Sequence, residues 1–314
     1  MAEPRKIIID TDPGQDDAVA ILTALASPEL DVLGIVAVAA NVPLKLTEKN
    51  ARKLCELAGK PETKVFAGAI RPMVRKLVTA EEVHGKTGLD GPDLPEPTMK
   101  LQDQHGVDFI VETLMAEPKG TVTLCTLGSL TDVALAMVRE PRIVPRIHEI
   151  VMMGGAYFEC GNVTPSAEFN IYVDPHAADI VFRSGVPIVM MPLDVTHKAL
   201  TTARRIKAFR DLGNRSGVAT AEMLEFFERF DEYKYGTDGG PLHDPCVIAY
   251  LLKPELFTGR EVNVSIEITS ELTMGATVVD WWGITKRPKN AVVMGGIDAD
   301  GFFALLTERI GRLP

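Results

Sequence analysis

The sequence predicts an α/β protein built on a single open, mostly parallel β-sheet with helices on both faces. Short apolar runs rich in β-branched residues alternate along the chain with longer amphipathic segments. This alternation is typical of a parallel sheet covered on both sides by helices. No linker rich in Ser, Gly or charge divides the 314 residues. We therefore expect one domain spanning residues 1–314.

The first two thirds of the chain carry the regular alternation. Residues 6–10 read as a buried strand, and residues 15–26 as a helix with acids in its first turn, where the helix dipole favours negative charge. Further strands are predicted at 33–38, 63–66, 121–126, 147–152 and 186–190. Further helices are predicted at 44–58, 105–116, 130–138, 174–183 and 215–235.

The remaining segments are less regular. Gly and Pro punctuate residues 71–104, and a second irregular stretch, 236–245, precedes another helix. Long loops inside a compact domain are usually functional or disordered. Near the end of the chain we predict strands at 261–268, 276–282 and 290–294, and a final helix at 300–310.

Composition narrows the possible partners. The net charge is −10 and no long basic run is present, so we expect no nucleic-acid partner. No apolar run reaches the roughly 18 residues that a membrane span requires. The four scattered cysteines form no CxxC pair and fit free thiols in a reducing compartment. With no signal-peptide pattern at the N-terminus, we expect a cytoplasmic protein that takes a small molecule.

Four aspartates, Asp10, Asp12, Asp16 and Asp17, lie between the first strand and the first helix. Like charges this close repel each other by about 4 kcal/mol per pair at the effective dielectric of a protein surface. A bound cation would offset that repulsion, and carboxylate ligands suit Ca²⁺ or Mg²⁺ better than Zn²⁺. The alternative for Asp16 and Asp17 is that they only cap the helix.

Two other interpretations use the same aspartates. An EF-hand loop counted from Asp10 would need Gly and Glu where the chain has Gln15 and Ile21, so that interpretation fails. The haloacid-dehalogenase phosphatases place a nucleophilic Asp at the position of Asp10. Their pattern wants Thr or Val where this chain has Gly14.

Further polar groups follow predicted strands or lie in the irregular stretches. His243 and Asp244 are adjacent in a Gly/Pro loop, where they could pair a general acid with a metal ligand or simply bond to backbone. Asn162, Glu168 and Asn170 suit recognition of sugar hydroxyls, although each alone could belong to a polar loop. The remaining candidates are Asn41 and His197, each after a strand, and His84, in a loop without P-loop spacing.

Taken together, these segments resemble the nucleoside hydrolase family, the inosine-uridine-preferring ribonucleoside hydrolases. The resemblance runs in order along nearly the whole chain. It rests on DTDPGQDDA at 10–18, the strand ending at Asn41, VHGKTGLDG at 83–91, LGSLTDVALA at 127–136, VMMGGA at 151–156, the N…EFN set at 162–170 and PLHDP at 241–245.

The resemblance implies a Rossmann-like nucleoside hydrolase fold and hydrolysis of the N-glycosidic bond of ribonucleosides to ribose and free purine or pyrimidine base. It implies a tightly bound Ca²⁺ held by the carboxylates of Asp12, Asp17 and Asp244 and by the carbonyl of Leu127. A water held by the metal would attack the anomeric carbon, with Asp12 as its base. His243 matches the acid that protonates the leaving group, and Asp10 would order the loop.

The same resemblance implies the substrate contacts. The ribose contacts are Asp16, Asn41, Asn162, Glu168 and Asn170. The pocket wall and base contacts are Met153, Phe169, His84, Phe227, Asp231 and Tyr235. Related proteins form homodimers or homotetramers, so we expect one of these. A phosphatase using Asp10 and a non-catalytic binder of calcium and ribose remain as alternative hypotheses.

Overall fold

The computed structural model describes residues 3–236 and 238–314, with the backbone alone described for residues 230–235. The strands in this part of the chain are β1 (Arg5–Thr11), β2 (Leu30–Ala37), β3 (Val65–Ala67), β4 (Val122–Thr126), β5 (Ile147–Met153), β6 (Ile188–Met191), β7 (Phe257–Val262), β8 (Val264–Ile266), β9 (Thr277–Val279) and β10 (Ala291–Ile297).

The α-helices alternate with these strands as the sequence predicts. They are α1 (Gln15–Leu25), α2 (Leu44–Leu57), α3 (Glu81–His84), α4 (Gly106–Ala116), α5 (Thr131–Arg139), α6 (Phe169–Val173), α7 (Pro175–Phe182), α8 (Leu193–Thr196), α9 (Ala203–Arg210), α10 (Arg215–Tyr235), α11 (Pro245–Leu252) and α12 (Ala299–Ile310). Short 3-10 helices span Pro141–Arg146 and Pro254–Leu256.

Eight strands form one open sheet in the order β3-β2-β1-β4-β5-β6-β10-β7. All neighbours are parallel except β10 and β7, which run antiparallel at one edge. The predicted open, mostly parallel sheet is therefore confirmed. The strand order reverses between β1 and β4, and ligands of open α/β sheets bind at the carboxyl ends of strands beside such a reversal.

Apolar residues cover both faces of the sheet. Along β1, Ile7 and Ile9 join one buried cluster while Ile8 joins the other. This split follows from the geometry of a strand, in which successive side chains point to opposite faces. Each face is then covered by helices, so strands such as β1 are apolar along their length rather than alternating.

The C-terminal strands differ from the sequence prediction. The single strand expected at 261–268 is two strands, β7 and β8, because β7 pairs with β10 while β8 leaves the main sheet and pairs antiparallel with β9. The strand expected at 276–282 extends only over Thr277–Val279. No described helix is long and apolar enough to cross a membrane.

Candidate active site

The candidate site lies where the carboxyl ends of β1, β2, β4 and β5 meet. Backbone hydrogen bonds continue past the strand ends and align them: Val38 N donates to Thr11 O at 2.9 Å, and Leu127 N donates to Asp10 O at 2.7 Å. Asp12 and Leu127 are thereby brought side by side across the point where the strand order reverses.

Three buried carboxylates form the acidic centre of this site. Asp16, Asp17 and Asp244 each offer an oxygen, and these oxygens lie within 4.8 Å of one another. Asp16 and Asp17 come from the first turn of α1, while Asp244 immediately precedes α11. Helix capping by Asp16 and Asp17 does not explain why Asp244, from a distant segment of the chain, lies beside them.

Asp17 nevertheless also holds the turn before α1. Its carboxylate accepts hydrogen bonds from Gly14 N at 2.9 Å and from Asp12 N at 3.3 Å, as well as from the hydroxyl of Thr11. The side chain of Asn41 donates to the same carboxylate at 3.2 Å. These bonds fix the direction of the Asp12–Asp17 turn before any ligand binds.

Asp12 stands beside this cluster in a defined orientation. Its Oδ2 accepts from Asn41 N at 2.8 Å, and its carbonyl accepts from the Asn41 side chain at 3.1 Å. Its Oδ1 is buried and receives no hydrogen bond from the described residues. A Cβ on Gly128 would come within 2.3 Å of that oxygen, so the glycine leaves the room that the carboxylate occupies.

Burial, followed by the charge of Asp17, raises the pKa of Asp12 well above its usual range. Burial also raises the pKa of Asp244, and the neighbouring Asp16, Asp17 and Asp12 add to that rise. The carboxylate charges are therefore strongly disfavoured at this place unless a positive charge accompanies them. Such a group of carboxylates indicates either a bound cation or protons held between neighbouring carboxylates.

The residues present fit a hard divalent cation. The carboxylate oxygens of the acidic centre lie together, Leu127 lines the same cavity, and the Oδ1 of Asp12 is buried without a donor from the described residues. Oxygen ligands of this type suit Ca²⁺, or Mg²⁺ with retained water, better than a metal that prefers sulfur or imidazole.

Asp10 is not placed to act as a nucleophile, because a nucleophile must reach a substrate in the cavity. It is 1% exposed, does not line the cavity described below, and has no hydrogen bond to either carboxylate oxygen from the described residues. Burial and the neighbouring Asp132 raise its pKa. Its backbone carbonyl accepts from Leu127 N, and the expectation that Asp10 supports the loop stays a prediction for its side chain.

A cavity opens beside the acidic centre. The sequence-predicted residues that line it are Asp16, Asn41, His84, Leu127, Met153, Asn162, Glu168, Phe169, Asn170, Phe227, His243 and Asp244. Asp12 and Asp17 are not among the lining residues; Asp17 belongs to the acidic centre, and Asp12 stands beside it. The side chains of Asp231 and Tyr235, predicted to contact the base, lie outside the described residues.

Glu168 and Asn170 are positioned by the start of α6. The carboxylate of Glu168 accepts from Asn170 N at 2.9 Å, Gly155 N at 2.8 Å and Ile171 N at 3.2 Å, so it caps the helix and ties it to the end of β5. Burial raises the pKa of Glu168 to about 7, although the backbone N–H donors favour its ionised form. The Asn170 amide donates to Leu127 O at 2.5 Å, which ties this group to the segment that follows β4.

His243 is held from behind by α8. Its Nδ1 lies 2.8 Å from the hydroxyl of Thr196, and its ring centroid lies 5.9 Å from that of His197. His197, whose position near the site the sequence left open, pairs with Glu159 at 3.5 Å. His243 also lines the cavity, so Thr196 fixes the orientation of a ring that a ligand in the cavity can contact.

The irregular stretch 71–104 supplies the remaining wall. It contains the short helix α3, and His84 at the end of that helix lies with its ring 5.5 Å from the ring of Phe227 on α10. The sequence prediction missed the cavity-lining residues Thr79, Ala80, Glu82, Val83 and Val163. No pattern in the sequence distinguishes them, because they reach the site only through the path of the loop.

Comparisons with known proteins agree with this geometry. The family model described as inosine-uridine preferring nucleoside hydrolase matches residues 7–304. An uncharacterized protein of Schizosaccharomyces pombe is 52% identical over 309 residues, covering 98% of this chain and all of that protein. The pyrimidine-specific ribonucleoside hydrolase RihA of Salmonella paratyphi B is 48% identical over 305 residues, covering 97% of each chain.

A solved structure gives the same result for the fold. The purine-preferring ribonucleoside hydrolase from Gardnerella vaginalis superposes with a TM-score of 0.91 at 34% identity and covers 98% of both chains. The chain therefore belongs to the inosine-uridine preferring nucleoside hydrolase family, whose members are enzymes that act on the N-glycosidic bond of ribonucleosides.

Proposed function

We propose that this protein is a calcium-dependent hydrolase of pyrimidine and purine ribonucleosides, releasing ribose and the free base. The observation that carries the proposal is the buried oxygen cluster of Asp16, Asp17 and Asp244 at the floor of a cavity whose walls carry His84, Phe227 and His243 among others. The carboxylates of the cluster are suited to bind a hard cation and sugar hydroxyls, and the aromatic and imidazole rings of the walls are suited to pack against a planar base.

Asp12, Asp17, Asp244 and the carbonyl of Leu127 are the groups that we propose as ligands of calcium. Asp16, whose carboxylate lies within the same cluster, would bind a ribose hydroxyl instead. When bound, the ion neutralises the carboxylates, lowers the pKa of a water molecule and orients the sugar hydroxyls.

Asp12 is the proposed general base. One of its oxygens is fixed by Asn41 N, and the other is buried without a donor from the described residues. A carboxylate in this state has one oxygen available to take a proton from the attacking water. General bases of this kind contribute about 10²–10⁴-fold to the rate.

The sugar develops positive charge as the bond to the base breaks, so negative and carbonyl oxygens around the ring stabilise the transition state. We assign the ribose hydroxyls to Asp16, Asn41, Asn162, Glu168 and Asn170. Glu168 and Asn170 are suited to the task because backbone contacts from α6 and the Leu127 carbonyl hold them in place.

His243 is the proposed acid for the leaving base, with Thr196 holding the ring by its Nδ1. Met153, Phe169 and Phe227 would form apolar walls, and His84, Asp231 and Tyr235 would meet the base. The 48% identity to the pyrimidine-specific RihA supports activity on uridine and cytidine. The 34% identity to a purine-preferring enzyme, together with His243, supports activity on inosine as well.

Ribose release tests the proposal directly. The purified protein, dialysed against chelator and resupplied with CaCl₂, is incubated with uridine, cytidine, inosine and adenosine, and reducing sugar is measured. We expect release from uridine and inosine that depends on the added metal. Absence of ribose from all four nucleosides would overturn the proposed activity, and full activity after removal of the metal would overturn its calcium dependence.

We also propose that the protein forms a homodimer or homotetramer. Phe158, Trp282 and Ile284 are more than half exposed, and Trp281 stacks on Tyr157 beside them at 4.9 Å between ring centroids. Large apolar side chains grouped on a surface commonly mark a contact between proteins. Size-exclusion chromatography with light scattering measures the mass, and a monomer at micromolar concentration would contradict this proposal.

A further inference from the structure

Gln15 links the cavity wall to the first helix through three hydrogen bonds. The side chain is fully buried in the first turn of α1. Its Nε2 donates to the carbonyl of His84 at 3.0 Å and to the carbonyl of Asp90 at 3.1 Å, while its Oε1 lies 2.8 Å from His84 Nδ1. One amide therefore contacts both the backbone and the imidazole of a loop about 70 residues further along the chain.

The two carbonyl contacts decide which way the amide points. A carbonyl oxygen can only accept, so the amide end that faces His84 O and Asp90 O must be the NH₂ group. The reverse orientation would place Gln15 Oε1 against two oxygens with no proton between them. The end that faces the imidazole is consequently an acceptor, and His84 Nδ1 must carry the hydrogen.

This arrangement leaves His84 with one defined hydrogen-bonding role. A neutral imidazole with its hydrogen on Nδ1 has a lone pair on Nε2. His84 is 7% exposed and lines the cavity, and burial lowers its pKa to about 4, so the ring is neutral at neutral pH. Since Nδ1 is occupied by Gln15, Nε2 is the ring nitrogen left for a ligand.

Gly14 allows the ring to approach this closely. A Cβ built there would come within 2.4 Å of His84 Nδ1 and within 2.7 Å of its Cε1. The turn before α1 thus both makes room for the imidazole and, through the next residue, binds its Nδ1.

We propose that Gln15 is a positioning residue that fixes His84 as a hydrogen-bond acceptor toward the cavity, so that the ligand group meeting His84 Nε2 is a donor. The donor is either an N–H group of the base or the 5′-hydroxyl of the sugar. The nature of the ligand rests on the proposed function, whereas the tautomer of His84 does not.

The tautomer is measured by long-range ¹H–¹⁵N correlation spectra of protein labelled in its histidine rings, with the His84 signals assigned from a His84→Gln variant. In the wild-type protein we expect His84 with its hydrogen on Nδ1 at neutral pH, and in Gln15→Met we expect the Nε2–H form to appear. A wild-type ring protonated on Nε2, or on both nitrogens, would overturn the proposal.

Asn50 provides a matched control. It is also a buried amide, and its Nδ2 donates to the carbonyls of Pro13 at 3.1 Å and Thr87 at 2.7 Å, so it fastens the same loop without touching the imidazole. Asn50→Leu should loosen the loop but leave the hydrogen on His84 Nδ1. A tautomer shift of equal size in both variants would assign the effect to loop mobility and overturn the role of Gln15.

Substrate analogues then identify the donor. We compare uridine with 3-methyluridine, which lacks the base N–H, and with 5′-deoxyuridine, which lacks the sugar hydroxyl. We expect kcat/KM of the wild-type protein to fall about tenfold for one of the two analogues, which is the usual effect of one lost hydrogen bond. That penalty should shrink in Gln15→Met.

Two results separate the proposals from each other. If uridine is cleaved and neither analogue loses more than about twofold, the donor assignment is overturned. If no nucleoside is cleaved at all, the proposed function fails, while the ring spectra still decide whether Gln15 sets the tautomer of His84.

Discussion

At the scale of single residues, we propose that the carboxylate of Asp12 has both a structural and a chemical role. Asn41 N fixes its Oδ2, and Gly128 leaves space for its Oδ1. Asp10, only two residues earlier, receives no hydrogen bond on its carboxylate from the described residues and does not line the cavity. The two carboxylates therefore form a matched pair for mutation.

Asp12→Asn should lower kcat for uridine by about 10³-fold, because an amide cannot take the proton from water although its shape is nearly the same. Steady-state kinetics measures the loss, and circular dichroism checks that the fold is kept. Asp10→Asn is the control and should lower kcat far less than Asp12→Asn does. Equal losses in the two variants would argue against Asp12 as the base.

Glu168 predicts a dependence of substrate binding on pH. Burial raises its pKa to about 7, so its protonated form persists up to neutral pH and its carboxylate forms as the pH rises through that value. The carboxylate is the stronger acceptor for a sugar hydroxyl. We therefore expect KM for uridine to fall as the pH rises through about 7 and to level off above it.

The control for this prediction is Glu168→Gln, which cannot titrate. Its KM should be higher than that of the wild-type protein above neutral pH and nearly flat across the same range. If KM of Glu168→Gln falls with rising pH as steeply as KM of the wild-type protein does, the titrating group is not Glu168.

At the scale of elements, short helices that the sequence prediction missed hold the cavity together. Helix α8 is one of them: Asp194 accepts hydrogen bonds from the backbone N–H of Tyr157 at 2.8 Å, Phe158 at 2.8 Å and Glu159 at 3.0 Å. The same short helix presents Thr196 to His243. It therefore positions two parts of the site at once.

Asp194→Ala should destabilise the protein by about 1–3 kcal/mol, since three backbone donors lose a charged acceptor. The segment freed by this change leads to Asn162 in the cavity wall, so KM should rise more than kcat falls. Urea unfolding measures the stability loss. Asp211→Ala, which removes only an exposed pair with Lys207, is the control and should change stability by less than about 1 kcal/mol.

The elements also show what the sequence pattern could and could not predict. The predicted strands and helices from β1 to α7 lie within about two residues of their observed bounds, except that β2 begins three residues earlier than predicted. Apolar periodicity and burial coincide in these elements, whereas the short helices α3 and α6 in the same range were not predicted. The split between β7 and β8 depends on pairing with β10 and β9, which lie far along the chain. A local pattern carries no information about such partners.

The same limit applies to the site. Asp16, Asn41 and Glu168, which the sequence motifs single out, line the cavity. Gln15 was not identified from the sequence, although it stands inside the most distinctive motif of the chain. Its role depends on His84 and Asp90, which reach it only through the folded loop.

At the scale of the whole molecule, a cation bound at the acidic centre would couple metal binding to the stability of the fold. The carboxylates of this centre come from the first turn of α1 and from the residue before α11, so a cation there would join segments more than 200 residues apart in the 314-residue chain. A ligand that binds the folded state and not the unfolded one stabilises it by about 2.7 kcal/mol when its concentration is a hundredfold above its dissociation constant.

The last prediction follows from this coupling: one substitution should reduce the rise in Tm that calcium causes, yet should not lower Tm when no metal is present. Calcium added to metal-free wild-type protein should raise Tm by several degrees, measured by differential scanning fluorimetry as CaCl₂ is increased. In Asp244→Asn that increment should be much smaller, because a ligand is lost. Without metal, the same variant should melt at or above the wild-type temperature, because one charge fewer is crowded among Asp16, Asp17 and Asp12. An Asp244→Asn protein that melts lower without metal yet keeps the full calcium increment would show that Asp244 supports the fold and does not bind the ion.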